Sequence, residues 1–413
     1  MRARVPLSLL ILTVTVVVVT RPCYGIELFG RTTTEFAWWQ DLIDRDTKFS
    51  AYQYLRLGAL DVVKDQNISV FGYGRYGYNE VADDEDEDFN GRLYYLYMDW
   101  RDVWKDRVDL RAGRTWTNLV AGSSIIDGAE VDFKNLGPVG VVLLGGRDVI
   151  FDEFDELTQS GDLAWGGQVY LRSVEDLNLN ISYSEKYDED DLARRTLGYD
   201  VGYNIKELSR VYSQGRYDII SEELSELLAG IKVFPNDKWT IRGEYFTSYP
   251  TFDATSIYVA FAASRFQSGS LYVDYYVSDR LSFYGGYTGE YFDLEDADDD
   301  DAHLFEAGTH LKVEDVRLNG SVLVREGYPG DLVGFSLAAD RPFLDNRLDL
   351  AAGIDYDIYE RYTMTSDEIA TKYWLAGRYY FSKKVSLALH VQNTESATQD
   401  YNFSGWSSLE IAF

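Results

Sequence analysis

LYVDYYVSDRLSFYGGYTGEYF, residues 271–292, decides how the rest of the chain is read. In an extended chain Leu271, Val273, Tyr275 and Val277 share a face, and Tyr272, Asp274 and Tyr276 share the other. After Ser-Asp-Arg the pattern restarts, with Leu281, Phe283, Gly285 and Tyr287 against Ser282, Tyr284, Gly286 and Thr288. A period of two on both sides of a short polar turn predicts a β-hairpin with one apolar and one polar face.

The same alternation recurs along the chain. Trp239, Ile241, Gly243 and Tyr245 alternate with Thr240, Arg242 and Glu244. Val316, Leu318, Gly320, Val322 and Val324 alternate with Arg317, Asn319, Ser321 and Arg325, and Val385, Leu387, Leu389 and Val391 with Ser386, Ala388, His390 and Gln392. Between these segments fall ten short turns: VKDQN, WKDR, NLGP, VEDLN, KELS, PNDK, SDR, VED, FLDN and SKK. Each pair of turns is separated by a longer, often acidic connection such as VADDEDEDFNG, IFDEFDELTQSGD, YDEDDLARR or FDLEDADDDDAH. Short turns on one rim and long loops on the other describe an up-and-down barrel in a bacterial outer membrane. Ten short turns separate about eleven hairpins, so the expectation is an all-β, single-domain antiparallel transmembrane barrel of about 22 strands. A sandwich would bury its apolar face on a second sheet without sorting its loops by length. A solenoid would repeat at a shorter and stricter period, which is not found.

Composition agrees with export. Residues 1–25 carry Arg2 and Arg4, an uncharged apolar run from Val5 to Val19, and small residues at Cys23 and Gly25. They read as a cleaved secretory signal peptide, with the barrel as residues 26–413. The run is short of the roughly 20 residues a spanning helix needs. The full chain has net charge −30, and loss of the three signal-peptide arginines takes the mature chain to −33, which excludes nucleic acid as a partner. The only cysteine is Cys23, so the mature chain has no thiol and no disulfide. No C-x-x-C-H is present, so no cofactor is expected on this chain.

The last strand carries a resemblance. Tyr401, Phe403, Gly405, Ser407, Leu409, Ile411 and the terminal Phe413 share one face, and this pattern resembles the C-terminal signal of Gram-negative outer-membrane barrels. The resemblance implies that Tyr401, Phe403, Leu409, Ile411 and Phe413 mark the chain for the barrel-assembly machinery, and that outer-membrane lipid and lipopolysaccharide surround it afterwards. RAGR, Arg111–Arg114, is similar to a strand motif of porin-like barrels. Aromatic pairs Trp38–Trp39, Tyr94–Tyr95, Tyr291–Phe292 and Tyr379–Tyr380 are expected near strand ends, at the headgroup level.

Charge belongs on the inner face, because Arg or Lys on the lipid face costs about 2–4 kcal/mol at midplane. Alternation predicts Arg56, Asp109, Arg111, Arg172, Arg242, Glu244, Asp274, Glu306, Lys312, Arg317, Asp349, Asp355 and Arg378 as pore-lining. A barrel this wide leaves room for water, so a porin-like channel for small solutes or ions is the expected function. The strand pattern begins at IELFGRTTTEFAWW, which leaves no place for a plug domain. The alternative is an insulating sheath around multihaem cytochromes, which the chain resembles in size and acidity. Three histidines, His303, His310 and His390, are too few and too scattered for a membrane hydrolase, so no catalytic residue is assigned. DEDFNG, Asp86–Gly91, begins like a calcium loop, but its twelfth position is Tyr97 where a bidentate Glu is needed, so no metal is assigned.

Overall fold

Alternating side chains on a pleated backbone give each segment one apolar face, and a ring of such segments leaves no unpaired edge. The computed structural model realises this ring. It describes residues 26–41, 46–79, 89–150, 161–171, 174–252, 254, 264–294, 300–328, 330–360, 368–397 and 399–413. Strands β1 to β22 follow one another around the wall, each antiparallel to the next. The last, β22 (Gln399–Ala412), closes on β1 (Glu27–Gln40) through eight residue pairs, from Arg31↔Ala412 to Trp38↔Gly405. The Phe413 amide donates to the Gly30 carbonyl at 3.0 Å and the Gly30 amide to the Phe413 carbonyl at 3.3 Å. Both ends of the barrel therefore lie on one rim, the terminal rim.

All ten short turns read from the sequence fall on that terminal rim, and none is longer than seven residues. Their tightness has a backbone cause. Leu344, Asp345 and Asn346 in FLDN, Lys105 and Asp106 in WKDR, and Glu314 in VED all have positive φ; half of them are Asp or Asn, whose short side chains tolerate it. The hairpin of residues 271–292 pairs as expected in β14 (Phe266–Ser278) and β15 (Leu281–Phe292), with Val273↔Gly285 and Tyr275↔Phe283.

The opposite, distal rim departs from strict alternation. YDEDDLARR is no loop: β9 (Leu177–Asp188) and β10 (Asp191–Ile205) pair up to Asp188↔Asp191, with Glu189 and Asp190 at φ 48 and 75. Two positive φ values in a two-residue connection match the twist of the flanking strands, so the acidic run turns tightly. Val120 and Ala121 form another two-residue connection between an odd strand and the next. The acidic segments 83–88, 152–156 and 295–299 lie outside the described residues, as do residues 1–25 and the first three residues of DEDFNG.

Candidate functional site

The inner face is fixed by one contact across the barrel. β5 (Val108–Leu119) and β6 (Gly122–Leu136) form a hairpin whose tip touches strands that are not its neighbours. The Ala121 amide donates to Ser182 Oγ on β9 at 2.7 Å. A Cβ on Gly198 of β10 would lie 2.4 Å from the Ala121 nitrogen, and one on Gly166 of β8 (Leu163–Leu171) 2.7 Å from Leu119 Cδ1. Only a tip inside the barrel can reach these strands, so Ser182, Gly198 and Gly166 face inward. Strand parity then assigns every other position.

By that parity the outward face is an apolar belt. Leu271, Phe283, Phe305, Val322, Leu337, Leu375, Leu389 and Phe403 all point out and are solvent-exposed in the isolated chain. A closed wall with every ladder paired and such a belt is what a bilayer core requires. The wall is that of an outer-membrane β-barrel.

Twelve of the thirteen charged residues chosen by alternation share the inward register; Arg172 lies outside the described residues. Around them the structure builds a girdle of ion pairs that sequence alone did not pair. Arg317 Nη2 lies 2.6 Å from Asp340 Oδ2, Arg325 Nη2 2.9 Å from Glu290 Oε2, and Lys372 Nζ 2.7 Å from Asp355 Oδ2. Lys134 bridges Asp109 at 2.6 Å and Asp102 at 2.9 Å near the terminal rim. The Lys134 ammonium hydrogen-bonded to Asp102, in the turn before β5, holds that carboxyl below the usual range.

Inward aromatic rings are pressed flat against the wall. Tyr212 covers Gly230, Tyr284 covers Gly308, and Trp374 covers Gly353, each close enough that a Cβ on the glycine would meet the ring at 2.4–2.6 Å. A flat ring leaves the bore open where an upright one would obstruct it. His390 is sandwiched between Trp374 and Trp406, with centroids 6.1 and 6.0 Å away. The other histidines are elsewhere: His310 Nδ1 sits 2.7 Å from Asn319 Oδ1 on the inner face, and outward-facing His303 Nδ1 sits 2.8 Å from the Tyr287 hydroxyl.

The inward hairpin is the feature that sequence reasoning missed. β4 (Phe89–Trp100) pairs with β5 only between Leu96↔Arg114 and Trp100↔Leu110, and β7 (Val139–Asp148) pairs with β6 no further than Ile126↔Asp148. Residues 115–125 therefore leave the wall and fold into the lumen. The departure point carries glycine on both strands, Gly113↔Gly128, and Gly113 has φ +125 with the Leu96 carbonyl 2.3 Å from where a Cβ would stand. RAGR is thus the bend itself, and only glycine fits there. Arg114 clamps the bend with two 2.8 Å bonds to Asp127 and one of 3.2 Å to the Leu93 carbonyl. Beyond it Leu119, Ala121 and Ile126 are buried while Trp116 projects into the lumen, beside a cavity of about 620 Å³ that Lys186, Arg194 and Arg216 also line.

The aromatic pairs Trp38–Trp39, Tyr291–Phe292 and Tyr379–Tyr380 lie near strand ends as expected. Tyr291 faces out and Phe292 in, as adjacent strand residues must, and so do Tyr379 and Tyr380. Tyr94 and Tyr95 are not at a strand end. They sit mid-β4, where a register shift at Tyr73/Gly74 turns both rings inward.

No protein-family model matches the sequence, and no curated protein matches it either. Among solved structures the chain is similar to the translocation pore of the P pilus usher PapC, with 9% identity over 94% of this chain and 99% of that one and a TM-score of 0.49. Acinetobacter baumannii OccAB2 matches with 9% identity over 94% and 98% and a TM-score of 0.47. Pseudomonas aeruginosa OccK2 matches with 11% identity over 94% and 98% and a TM-score of 0.46. At such identities and scores the functional reading rests on the geometry of the chain itself.

Proposed function

We propose that the chain is a porin-like channel of the outer membrane that passes small solutes or ions without an energy source. The observation that carries this reading is the water access of inward charges. The side chains of Arg317, Arg242 and Lys372 are 68%, 44% and 41% exposed although they face away from the lipid belt. A sealed barrel would bury such groups in a closed network, and a charge left without water or a partner would be strongly unfavourable. Sixteen to eighteen strands already leave an aqueous channel, and twenty-two give a wider bore. The β5–β6 hairpin narrows that bore and sets its size limit.

In this reading the terminal rim faces the periplasm and the distal rim faces outward. Lipid and lipopolysaccharide contact the belt, and the assembly machinery reads the strand ending at Phe413. No enzymatic step and no cofactor is part of it. A sheath around multihaem cytochromes would need the lumen space that the hairpin fills, so the channel is preferred. Proteoliposomes in isotonic small sugars test it: swelling should slow as the solute grows, and rates equal to those of protein-free liposomes would overturn the reading.

A further inference from the structure

The inward face is uneven in one respect. Among the described residues its rings mostly lie singly or in short series, but on β2 (Thr47–Leu60), β3 (Ile68–Asn79) and β4 they join into a ladder. Phe71 meets Tyr97 at 5.4 Å, Tyr97 meets Tyr95 at 5.5 Å, and Tyr95 meets Tyr73 at 5.6 Å. Tyr73 stacks on Tyr94 at 4.8 Å with 20° between planes and on Tyr54 at 6.3 Å with 19°. The β4 bulge that turns both Tyr94 and Tyr95 inward makes the run continuous.

Guanidinium groups lie on this ladder. Arg75 is 4.6 Å above the Tyr52 ring, Arg92 is 5.9 Å from Tyr94, and Arg111 is 5.0 Å from Tyr97. Arg75 and Arg92 are direct cross-strand partners, and Arg56 lies opposite Tyr73. This stretch of the inner wall therefore sets guanidinium groups beside a continuous run of rings, whereas Tyr212, Tyr284 and Trp374 each lie on a glycine.

We propose that this ladder binds a linear carbohydrate and guides it, sugar ring by sugar ring, along the lumen wall; the proposal rests on the channel reading above. A pyranose presents a C–H face that packs on an aromatic ring and an edge of hydroxyls that accepts from guanidinium and phenol donors. The polar tyrosine hydroxyls and guanidiniums disfavour a hydrocarbon chain, which would strip them of water. The guanidiniums already over the rings disfavour a cationic ligand by repulsion. A run of similar weak sites, in place of one deep pocket, holds a repeating ligand while still releasing it, which transport through a pore requires.

Current recordings in planar bilayers, with a neutral linear glucan oligomer as probe, read the ladder directly. The glucan should interrupt the current, and interruptions should lengthen as the oligomer grows. Tyr73→Ala and Tyr94→Ala should each shorten them about three- to tenfold, and the current steps that the variants still give show that they fold and insert. Tyr73→Phe should keep most of the effect, and Tyr284→Ala, outside the ladder, should leave the length of the interruptions unchanged. Open channels that glucan never interrupts, or interruptions indifferent to Tyr73→Ala, would overturn the proposal while leaving the channel reading standing. Equilibrium dialysis of labelled glucan against the barrel in detergent separates the two ideas. Binding that Tyr73→Ala weakens, from protein that carries no current, would support the ladder and sink the channel; absence of binding would sink the ladder.

Discussion

Replacing Gly198 by valine should release the β5–β6 hairpin from the lumen wall. A Cβ there would lie 2.4 Å from the Ala121 nitrogen and 2.5 Å from the Val120 carbonyl carbon, both backbone atoms that cannot swing aside. In the native tip, burial of Leu119 contributes about 1.5–3 kcal/mol and the Ala121 bond to Ser182 about 1 kcal/mol, so docking is worth about 2.5–4 kcal/mol. At 1.4 kcal/mol per factor of ten, the wild-type tip is undocked at most about 2% of the time. Overpacking costs about 1–3 kcal/mol and the displaced hydrogen bond about 1 more, which brings docked and undocked states to comparable populations. Single-channel recording should then show a second, larger conductance level, occupied for a substantial share of the time and nearly absent in the wild type. Ala121→Cys with Ser182→Cys, in a chain whose one native cysteine is Cys23, should lock the tip and suppress the larger level until a reductant is added. Gly198→Val recordings that match the wild type would refute the argument that the hairpin sets the bore.

Other outcomes follow from the same geometry. Leu375→Arg on the lipid belt should lower folded yield far more than Ala376→Arg on the inner face, since a midplane Arg in lipid costs about 2–4 kcal/mol; equal yields from lipid-refolding assays would reverse the parity assignment. Gly308→Ala should push the Tyr284 ring into the bore and reduce conductance, with unchanged conductance counting against the flat-ring reading. Deleting Phe413, or replacing it with Lys, should reduce outer-membrane abundance more than a change at inward Ser408, as quantified in membrane fractions; matching abundance would remove its role in insertion. At low salt, reversal potentials should favour K⁺ over Cl⁻ because of the acidic surplus, and neutralising the acids of 293–301 should weaken the preference, which should fade as the Debye length shrinks from about 10 Å at 0.1 M to about 3 Å at 1 M. Anion preference would overturn that electrostatic argument.

Most of the wall was legible because a barrel strand has only two faces. Once Leu271 and Val273 are outside, Asp274 is inside, and the same rule carried to Arg242, Arg317, Asp355 and Arg378. The ten terminal-rim turns were legible because tight turns need particular residues. What failed was local. Asp188 to Asp191 looked like a loop since acidity was taken for length, yet a two-residue turn needs only backbone that accepts positive φ. Tyr94 and Tyr95 broke the parity rule through a bulge, which leaves no mark in the hydrophobic pattern. The inward hairpin kept its alternation from Thr115 to Ile126 while changing what each face meets. The paired Gly113 and Gly128 were its only sequence trace, and their pairing is visible only once the register is known.

The central claim is that the inner face borders conducting water, and impermeant charged thiol reagents applied during planar-bilayer recording test it most directly. The purified chain alone should give discrete current steps. Modification of Asp274→Cys, on the inner face, should change their size, and the same reagent on Val273→Cys, its lipid-facing neighbour, should not. Insertion without current, or an equal response at the two positions, would contradict the account.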